Sequence, residues 1–572
     1  MKNSALAEIF EQMADILELQ GELGFKVNAY RRAARVIQDL QEDITILWEN
    51  QKLHELPGIG DAFVRKISEY LATGKMSKFE SLKQEVPSEL IALLKIQNLG
   101  PKTIATAHKS LGVNNLDDLV RVIENGQLAG LPKMGEKKME NIKKGIEYLL
   151  KSQERISIAV ALPMVEGIIS QLTAMCAVEA ITCAGSVRRM KETVHDVDIL
   201  AVSSQSQRLI ETFLNLPGVG RVDAGGTTRA SVHFENGVQV DLRVIPSESF
   251  GAALQYFTGS QAHNVKLRGL AKKNFLKINE YGIFKDDKII GGSKELDIYE
   301  ALGLQWIPPE LREDRGEIER AASKSLPALL EIQDVRGDLH VHSNYSDGKS
   351  SIAEIVNAAR LRGYHYLAIC DHSVSAGYAR GLNRERLLQQ MAEIAAINKA
   401  HDDVVVLQGI EVDILGDGSL DIADEFLPRL DFIVASIHSG FKTNPTERII
   451  KAMENPFVDV IGHPTGRIIS RREGYEVDLN AVFDAAEKTG TALEINAHPD
   501  RLDLSDVHAK RASERGIRIA INSDSHECAN LDFMKYGVAV ARRGWLNREA
   551  VLNTWPIEKV ITWRRARIAN RT

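Results

Sequence analysis

Residues able to carry phosphoryl chemistry occur in two separate stretches of this sequence. In HDVDILAV (195–202), Asp196 and Asp198 stand two residues apart and project from one face of a strand. In VQVDLRVI (238–245), Val238, Val240, Leu242 and Val244 line one face, with Asp241 and Arg243 on the other. Three carboxylates on adjacent strand faces repel one another unless cations neutralise them. Two divalent ions roughly 3.5–4 Å apart would do so and would clamp both oxygens of an in-line phosphoryl displacement. Mg²⁺ or Mn²⁺ suits such hard oxygen donors. Just upstream, Gly185, Ser186, Arg188 and Arg189 offer amide, hydroxyl and guanidinium groups to a triphosphate.

Histidine marks the second stretch: ten of the fifteen follow residue 339. GDLHVHS sets His340 and His342 on one strand face. YLAICDH ends in His372, VLQGIEV carries Glu411, FIVASIH ends in His438, VDVIGHP gives His463, and RIAINSDSH gives Asp524 and His526. Each is a short apolar strand closing on an imidazole or carboxylate, and in a βα barrel the strand C-termini gather on one face. Nitrogen and oxygen donors without sulfur suit Zn²⁺, Mn²⁺ or Fe²⁺. Arg467, Arg471 and Arg472 follow His463 and are expected either to meet a DNA phosphate or to be a solvated charge cluster.

A third feature is a degenerate repeat: LPGIGDAFVRKI (56–67), IQNLGPKTIATA (96–107) and LPKMGEKKMENI (131–142). Each copy is a glycine-bearing turn between amphipathic helices. Backbone amides converging at a helix N-terminus form an anion site. Gly58 and Gly60, followed by Arg65 and Lys66, are expected to grip a DNA phosphate, and Gly100 with Lys102 a second one. The copy around Gly135 is weaker.

These residues need different scaffolds. Spacing near i, i+3, i+4 predicts helices over residues 1–150, strands mix with helices from 151 to about 315, and strand–helix alternation beyond 336 predicts repeated βα units. The fold class is multidomain α/β. The expected divisions are 1–85 and 86–150 as two helical domains, 151–250 and 251–315 as a mixed catalytic half, 316–335 as a charged linker, and 336–572 as the histidine-rich barrel. The 572 residues exceed one core. Four cysteines without CxxC pairing exclude a thiolate zinc site, and the N-terminus lacks a signal-peptide pattern. No apolar run is expected to span a membrane, so a cytoplasmic protein is expected. The net charge of −7 leaves local basic groups and amides to hold any nucleic acid.

GSVRRMKETVHDVDIL (185–200), VDLRVI (240–245), YFTGSQAHNVKLRGLA (256–271) and INEYGIF (278–284) resemble the polymerase core of family X DNA polymerases, the polymerase beta group. The resemblance implies a nucleotidyltransferase palm over 151–250 and a thumb over 251–315. Asp196, Asp198 and Asp241 would hold two metal ions while a primer 3′-hydroxyl attacks the α-phosphate of a dNTP. Gly185, Ser186 and Arg189 would hold the triphosphate, Tyr256 and Phe257 would lie against the sugar, Gly259 would belong to the same nucleotide site, Asn264 would reach the minor-groove edge, and Arg268 the template strand. His195 replaces the usual glycine and would either crowd the metal strand or point away. Gln261, Ala262 and His263 also depart from the beta-type pattern.

FKVNAYRRAARVI (25–37) and residues 56–75 resemble that family's small helix-hairpin-helix domain. Lys26 and Tyr30 would bind a 5′-phosphate, and Lys66 falls at the Schiff-base lysine of deoxyribose-phosphate lyases, although His54 and Ala62 replace lysines. The C-terminal part resembles the PHP (polymerase and histidinol phosphatase) domain, a distorted (βα)₇ barrel. The implied ligands are His340, His342, Glu411 and Asp524 for one metal, Glu411, His438 and His463 for a second, and Asp347, His372 and His526 for a third, as Mn²⁺ or Zn²⁺. The combined expectation is a monomeric repair polymerase acting on gapped or nicked DNA with dNTPs in base excision repair. Its PHP domain would trim 3′ ends, with cleavage at abasic sites as a further activity. A small-molecule phosphatase or a non-catalytic DNA-end scaffold would leave the three aspartates without a role.

Overall fold

A computed structural model describes residues 155–376, 379–469 and 474–571. Of the first 154 residues it describes 2–20, 22, 24–38, 44–85, 89–90, 93–96, 99–130, 142–143 and 146. The chain divides into two compact units, 1–153 and 154–572.

The first unit is helical, as the spacing predicts. Helices Lys2–Leu19 and Gly24–Gln38 pack together, and Phe10, Met13, Ala33, Ala34 and Ile37 are fully buried between them and their neighbours. Helices Asp61–Thr73 and Pro101–Leu111 each begin directly after a glycine, Gly60 and Gly100. The copy around Gly135 falls outside the described residues.

The second unit is built around two large sheets. The first has five strands in the order Ala180–Cys183, Asp196–Val202, Gln239–Val244, Arg229–Phe234, Val219–Gly225. Asp196–Val202 and Gln239–Val244 run parallel, which sets Asp198 directly beside Asp241. Valine and leucine at alternate positions turn the opposite face into the core, as period-2 strands must. Helix Ile158–Met175 covers that face through Ile158, Ala161, Val165, Ile168 and Leu172. This helix corrects one sequence expectation: by length and composition its 18 residues suffice to cross a membrane. Glu166 is its one charge, and the five residues just named are buried against the sheet.

Helix Phe250–Thr258, helix Gln261–Lys273 and a small three-stranded sheet follow. Segment 316–335 is folded. Helix Glu317–Ala322 begins with a fully buried Glu317 whose Oε1 accepts from His263 Nδ1 at 2.6 Å. His263, one of the departures from the beta-type pattern, is therefore an anchor for this segment.

The second sheet has seven parallel strands in sequence order: Gly337–Val341, Tyr366–Ile369, Val405–Asp413, Phe432–Ser436, Val460–Ile461, Ala492–Asn496 and Ile519–Asn522. A bridge between Val341 and Ser525 joins the two ends, so the sheet nearly closes into a barrel. Asp338 accepts from the amides of Ser523 and His340, and Asn522 Oδ1 accepts from the amide of Leu339, stitching first strand to last.

Candidate active sites

In the five-stranded sheet the register brings Asp198 and Asp241 together, and Asp196 lies two residues back on the same face. Burial, reinforced by Asp196 and Asp241, pushes the Asp198 carboxyl up to about 7. One buried oxygen of Asp241, Oδ1, has no hydrogen-bond partner among the described residues. Crowded carboxylates with an orphaned buried oxygen fit a divalent-cation site. Gly185 closes it from above, because at its φ of +60° a Cβ would stand 2.6 Å from Asp198 Oδ2. His195 is exposed.

The surrounding side chains are already engaged. Arg189 Nε donates to Glu313 Oε1 at 2.9 Å and its Nη1 to the carbonyl of Thr258 at 2.8 Å. Arg188 pairs with Glu295 and also donates to Thr258 Oγ1. Asn264 donates to the carbonyls of Tyr256 and Gly259 and accepts from Gln255. Tyr256 and Phe257 meet edge to face at 5.1 Å, and Arg268 lies 5.9 Å from the Tyr256 ring. Ser186 is half-buried at the start of the short helix Gly185–Arg188.

At the barrel mouth all nine expected donors converge. Among the described residues, three groups have ligand atoms within 4.8 Å of one another: His340, His342 and Asp524; His372, Glu411 and His438; and His342, Asp347, His372 and His526. Glu411 sits at the centre. Its Oε2 lies 3.0 Å from His372 Nδ1, and its Oε1 lies 3.4 Å from His438 Nε2 and 3.3 Å from His463 Nε2.

The tautomers are fixed from behind. His340 Nδ1 donates to Glu494 Oε1 at 2.8 Å, His438 Nδ1 to Asp413 Oδ1 at 2.5 Å, and His526 Nδ1 to the carbonyl of Asp524 at 2.9 Å. Each therefore turns Nε2 inward as a lone-pair donor. His340 Nε2 and His342 Nε2 stand 3.1 Å apart, both aimed at one point. Burial, with His526, His372 and His340 nearby, holds His342 down at about 3, so it is neutral and able to ligate. Among the described residues, Glu411 Oε1 and the Nδ1 atoms of His342 and His463 lack hydrogen-bond partners. Imidazoles and carboxylates with orphaned inward atoms fit metal ions, and this cluster could hold several.

Several functional residues escaped the sequence reading. Glu494 is fully buried, and besides His340 it accepts from the amide of His463 at 2.7 Å and from Asn522 Nδ2 at 2.8 Å. Asp371 accepts from the amides of Ser343 and Ser346 and thereby sets the loop that ends in Asp347. Arg501, 3.7 Å from Asp524, brings a cation to the rim of the cluster. Polar residues inside otherwise apolar strands, as in ALEIN (492–496), were the available signal. Arg467 bonds the carbonyls of Arg501 and Leu502 and the carboxylate of Glu192. Arg471 and Arg472 lie outside the described residues.

In the helical unit, Gly58 has a φ of +83° and leads into helix Asp61–Thr73. Lys66 Nζ lies 5.6 Å from the Tyr30 ring and 5.5 Å from the Phe63 ring. Burial and then Arg65 lower its pKa. Tyr30 is a core residue packed against Phe10 and Phe63. Lys26 pairs with Glu22 at 2.7 Å. His54 and Ala62 are exposed. Gly100 caps helix Pro101–Leu111, whereas the Lys102 side chain lies outside the described atoms.

Comparison with known proteins agrees with this layout. Family models match a helix-hairpin-helix domain at 1–76, a SAM-like helix-hairpin-helix tandem at 89–147, a DNA polymerase beta thumb at 253–313 and a PHP domain at 338–498. The chain is 40% identical to the DNA polymerase/3′-5′ exonuclease PolX of Bacillus subtilis (strain 168), over 98% of this chain and 99% of the relative. Over 38% of its length it is 29% identical to a probable phosphatase of Thermoanaerobacter sp. (strain X514), covering 89% of that protein. A probable phosphatase of Shewanella sediminis is 26% identical over 40% of the chain, with 92% of that relative covered. Identity at this level over nearly the full length of both chains settles the family: the chain belongs to the family X DNA polymerases of the bacterial PolX kind, with a polymerase-beta-like core and a C-terminal PHP domain.

Proposed function

We propose that the protein is a DNA-directed DNA polymerase that fills short gaps during base excision repair and hydrolyses 3′ ends at its PHP barrel. The observation that carries this reading is the presence, in one folded unit, of two separate donor clusters: three aspartates on neighbouring strands, and at the barrel mouth eight clustered donors with His463 beside Glu411. The domain divisions given above are kept, with palm and thumb at 151–250 and 251–315, except that 316–335 is a folded segment held by His263 and Glu317.

Asp196, Asp198 and Asp241 would hold two Mg²⁺ or Mn²⁺ ions. The barrel donors would hold up to three, as Mn²⁺ or Zn²⁺. Such ions supply charge neutralisation at the attacking and leaving oxygens of phosphoryl transfer. At the palm the primer 3′-hydroxyl oxygen attacks the α-phosphorus of the dNTP in line, and pyrophosphate leaves. The Gly185 and Ser186 amides and the Ser186 hydroxyl receive the triphosphate. Arg189 must first release Glu313 to join them. Tyr256, Phe257 and Gly259 bound the sugar, Arg268 faces the template, and Asn264 reaches the nucleotide edge by exchanging its bond to the Tyr256 carbonyl. At the barrel, water attacks the terminal phosphodiester, the bond to the 3′-oxygen breaks, and a nucleoside 5′-monophosphate departs. His340, His438 and His526 are held in the ligating tautomer by Glu494, Asp413 and the Asp524 carbonyl. Arg501 steadies the charge on the phosphate.

The amide turns at Gly58–Gly60 and Gly100–Lys102 serve as sequence-independent phosphate grips, with Lys26 beside the first. Lyase chemistry at Lys66 is supported by its lowered pKa, since a Schiff base forms from a neutral amine. Tyr30 supports that lysine by packing. The protein is taken to be monomeric and cytoplasmic.

The test is one incubation series with a one-nucleotide-gapped duplex and, separately, a 3′-terminated single strand, each with Mg²⁺, Mn²⁺ or EDTA. The reading requires gap filling with dNTPs and 3′ shortening without them, both abolished by EDTA. Loss of phosphate from small esters without extension would instead favour a phosphatase, the activity for which the two partial relatives are named.

A further inference from the structure

Arg189 is wanted in two places. A triphosphate needs its guanidinium, and Glu313 Oε1 holds it through Nε at 2.9 Å. The Glu313 side chain is only 9% exposed, and Arg543 Nη1 reaches the same oxygen at 3.0 Å. Among the described residues no hydrogen bond to Glu313 Oε2 accompanies them. Drawing Arg189 onto a phosphate therefore leaves a largely buried carboxylate with one of its two paired cations. A buried charge stripped of a partner would weaken nucleotide binding by about 10-fold or more.

A further cation lies beside this pair. Lys191 follows Arg189 by two residues. Between them Met190 takes a φ of +52°, and the Lys191 amide donates to the Ser186 carbonyl at 3.1 Å, so the chain doubles back beside the triphosphate turn. The Lys191 side chain is half-buried, yet among the described residues it makes no hydrogen bond or ion pair. Burial lowers the pKa of its amine, Glu313 opposes that shift, and Arg543, Arg189 and Arg155 add to it. The amine thus shares the surroundings of Glu313 without bonding to it.

The other cations there are engaged. Arg155 donates to Oγ1 and the carbonyl of Thr193 at 2.9 and 2.7 Å. Arg543 is held by the Arg189 carbonyl at 2.9 Å and by Asp506 at 2.8 Å as well as by Glu313. Lysine suits an exchange of partners, because its flexible four-carbon stem carries a compact charge with three rotatable donors.

We propose that Lys191 is a positioning residue for nucleotide binding, moving onto Glu313 Oε2 as Arg189 leaves for the triphosphate. The carboxylate then keeps two cations throughout, and its tie to Arg543 is undisturbed. The proposal rests on the reading of Arg189 as a triphosphate ligand and adds what allows that arginine to leave. Lys191 itself touches no substrate.

The test is steady-state filling of a one-nucleotide gap by the full chain with Mg²⁺, varying the dNTP. Lys191→Ala is expected to raise the KM for dNTP about tenfold with kcat unchanged, and Lys191→Arg to restore the KM. In a Glu313→Gln background no buried charge needs compensating, so Lys191→Ala should shift the KM by less than about twofold. An effect that persists at full size in that background would put the lysine on the phosphate itself and overturn the proposal. An unchanged KM in Lys191→Ala, or a failed rescue by Lys191→Arg, would overturn it too. Thermal melting checks the fold. Should Glu313→Gln not fold, Arg189→Gln takes its place as background, because without the arginine there is no exchange to assist and Lys191→Ala should again leave the KM unchanged. Arg189→Gln that by itself left the dNTP KM unchanged would overturn the triphosphate reading of Arg189, a distinct outcome that removes the proposal with it.

Discussion

At the scale of single residues, one position behind each cluster decides whether that cluster is usable. A Cβ at position 185 would press on Asp198 Oδ2 and must also adopt a positive φ. Gly185→Ala should therefore lower gap filling on the order of 100-fold, since displacements near 1 Å cost that much at a reacting centre. Hydrolysis of 3′ ends should change little, and steady-state extension assays check both. Glu494 is the barrel counterpart, holding His340, the His463 amide and Asn522 at once. Glu494→Ala should cut metal content or 3′ hydrolysis by about 10- to 100-fold, read by elemental analysis of the purified protein. Retention of full metal occupancy would contradict that role.

At the scale of elements, helix Phe250–Thr258 owes its position to a missing side chain. A Cβ on Gly251 would lie 2.0 Å from the backbone carbonyl carbon of Lys294, so the helix approaches that turn only with glycine there. Gly251→Ala is expected to push the helix outward, carry Tyr256 and Phe257 with it, raise the KM for dNTP and lower the melting temperature. An unchanged KM would show that the helix does not set the nucleotide site. The same scale explains what could be read in the sequence. The i, i+2 spacing of Asp196 and Asp198 announced a shared face, and the short apolar strands ending in histidine announced the barrel. Asp241 was expected beside that pair, on an adjacent strand face, and the parallel register sets it directly against Asp198; the register itself was not readable, because it depends on which strands become neighbours. Glu494 and Asp413 were hidden for a related reason: inside apolar strands a lone carboxylate reads as an exception until its partners are known, and Asp371 lies two residues past the end of such a strand. Ile158–Met175 was passed over because its Glu166 and Pro163 break an otherwise apolar helix.

At the scale of the whole molecule, charge networks bind polymerase core and barrel into one unit. Arg543 bonds the carbonyl of Arg189, pairs with Glu313 at 3.0 Å and with Asp506 at 2.8 Å, and Arg315 adds a second contact to Asp506. Burial disfavours charge on Glu313, yet Arg543, Arg189 and Lys191 together hold its carboxyl down at about 2. Glu295, between Arg312 and Arg188, is held at about 2 in the same way. A carboxyl with a depressed folded-state pKa stabilises the fold above its unfolded value near 4.3, and that contribution disappears as pH falls toward 2. Each group contributes on the order of 3 kcal/mol by this linkage. Chemical denaturation between pH 6 and 3 should show falling stability, and Glu313→Gln should flatten the slope. A slope unchanged by Glu313→Gln would contradict the assignment.

Two clusters that work independently within one chain are best tested by separating them. Gap filling and 3′ shortening should be measured side by side on Asp198→Ala and on the double variant His340→Ala/His342→Ala, each shown to be folded by melting. The account predicts that the first loses gap filling and keeps 3′ shortening, and that the second does the reverse. Loss of both activities in either folded variant would contradict it.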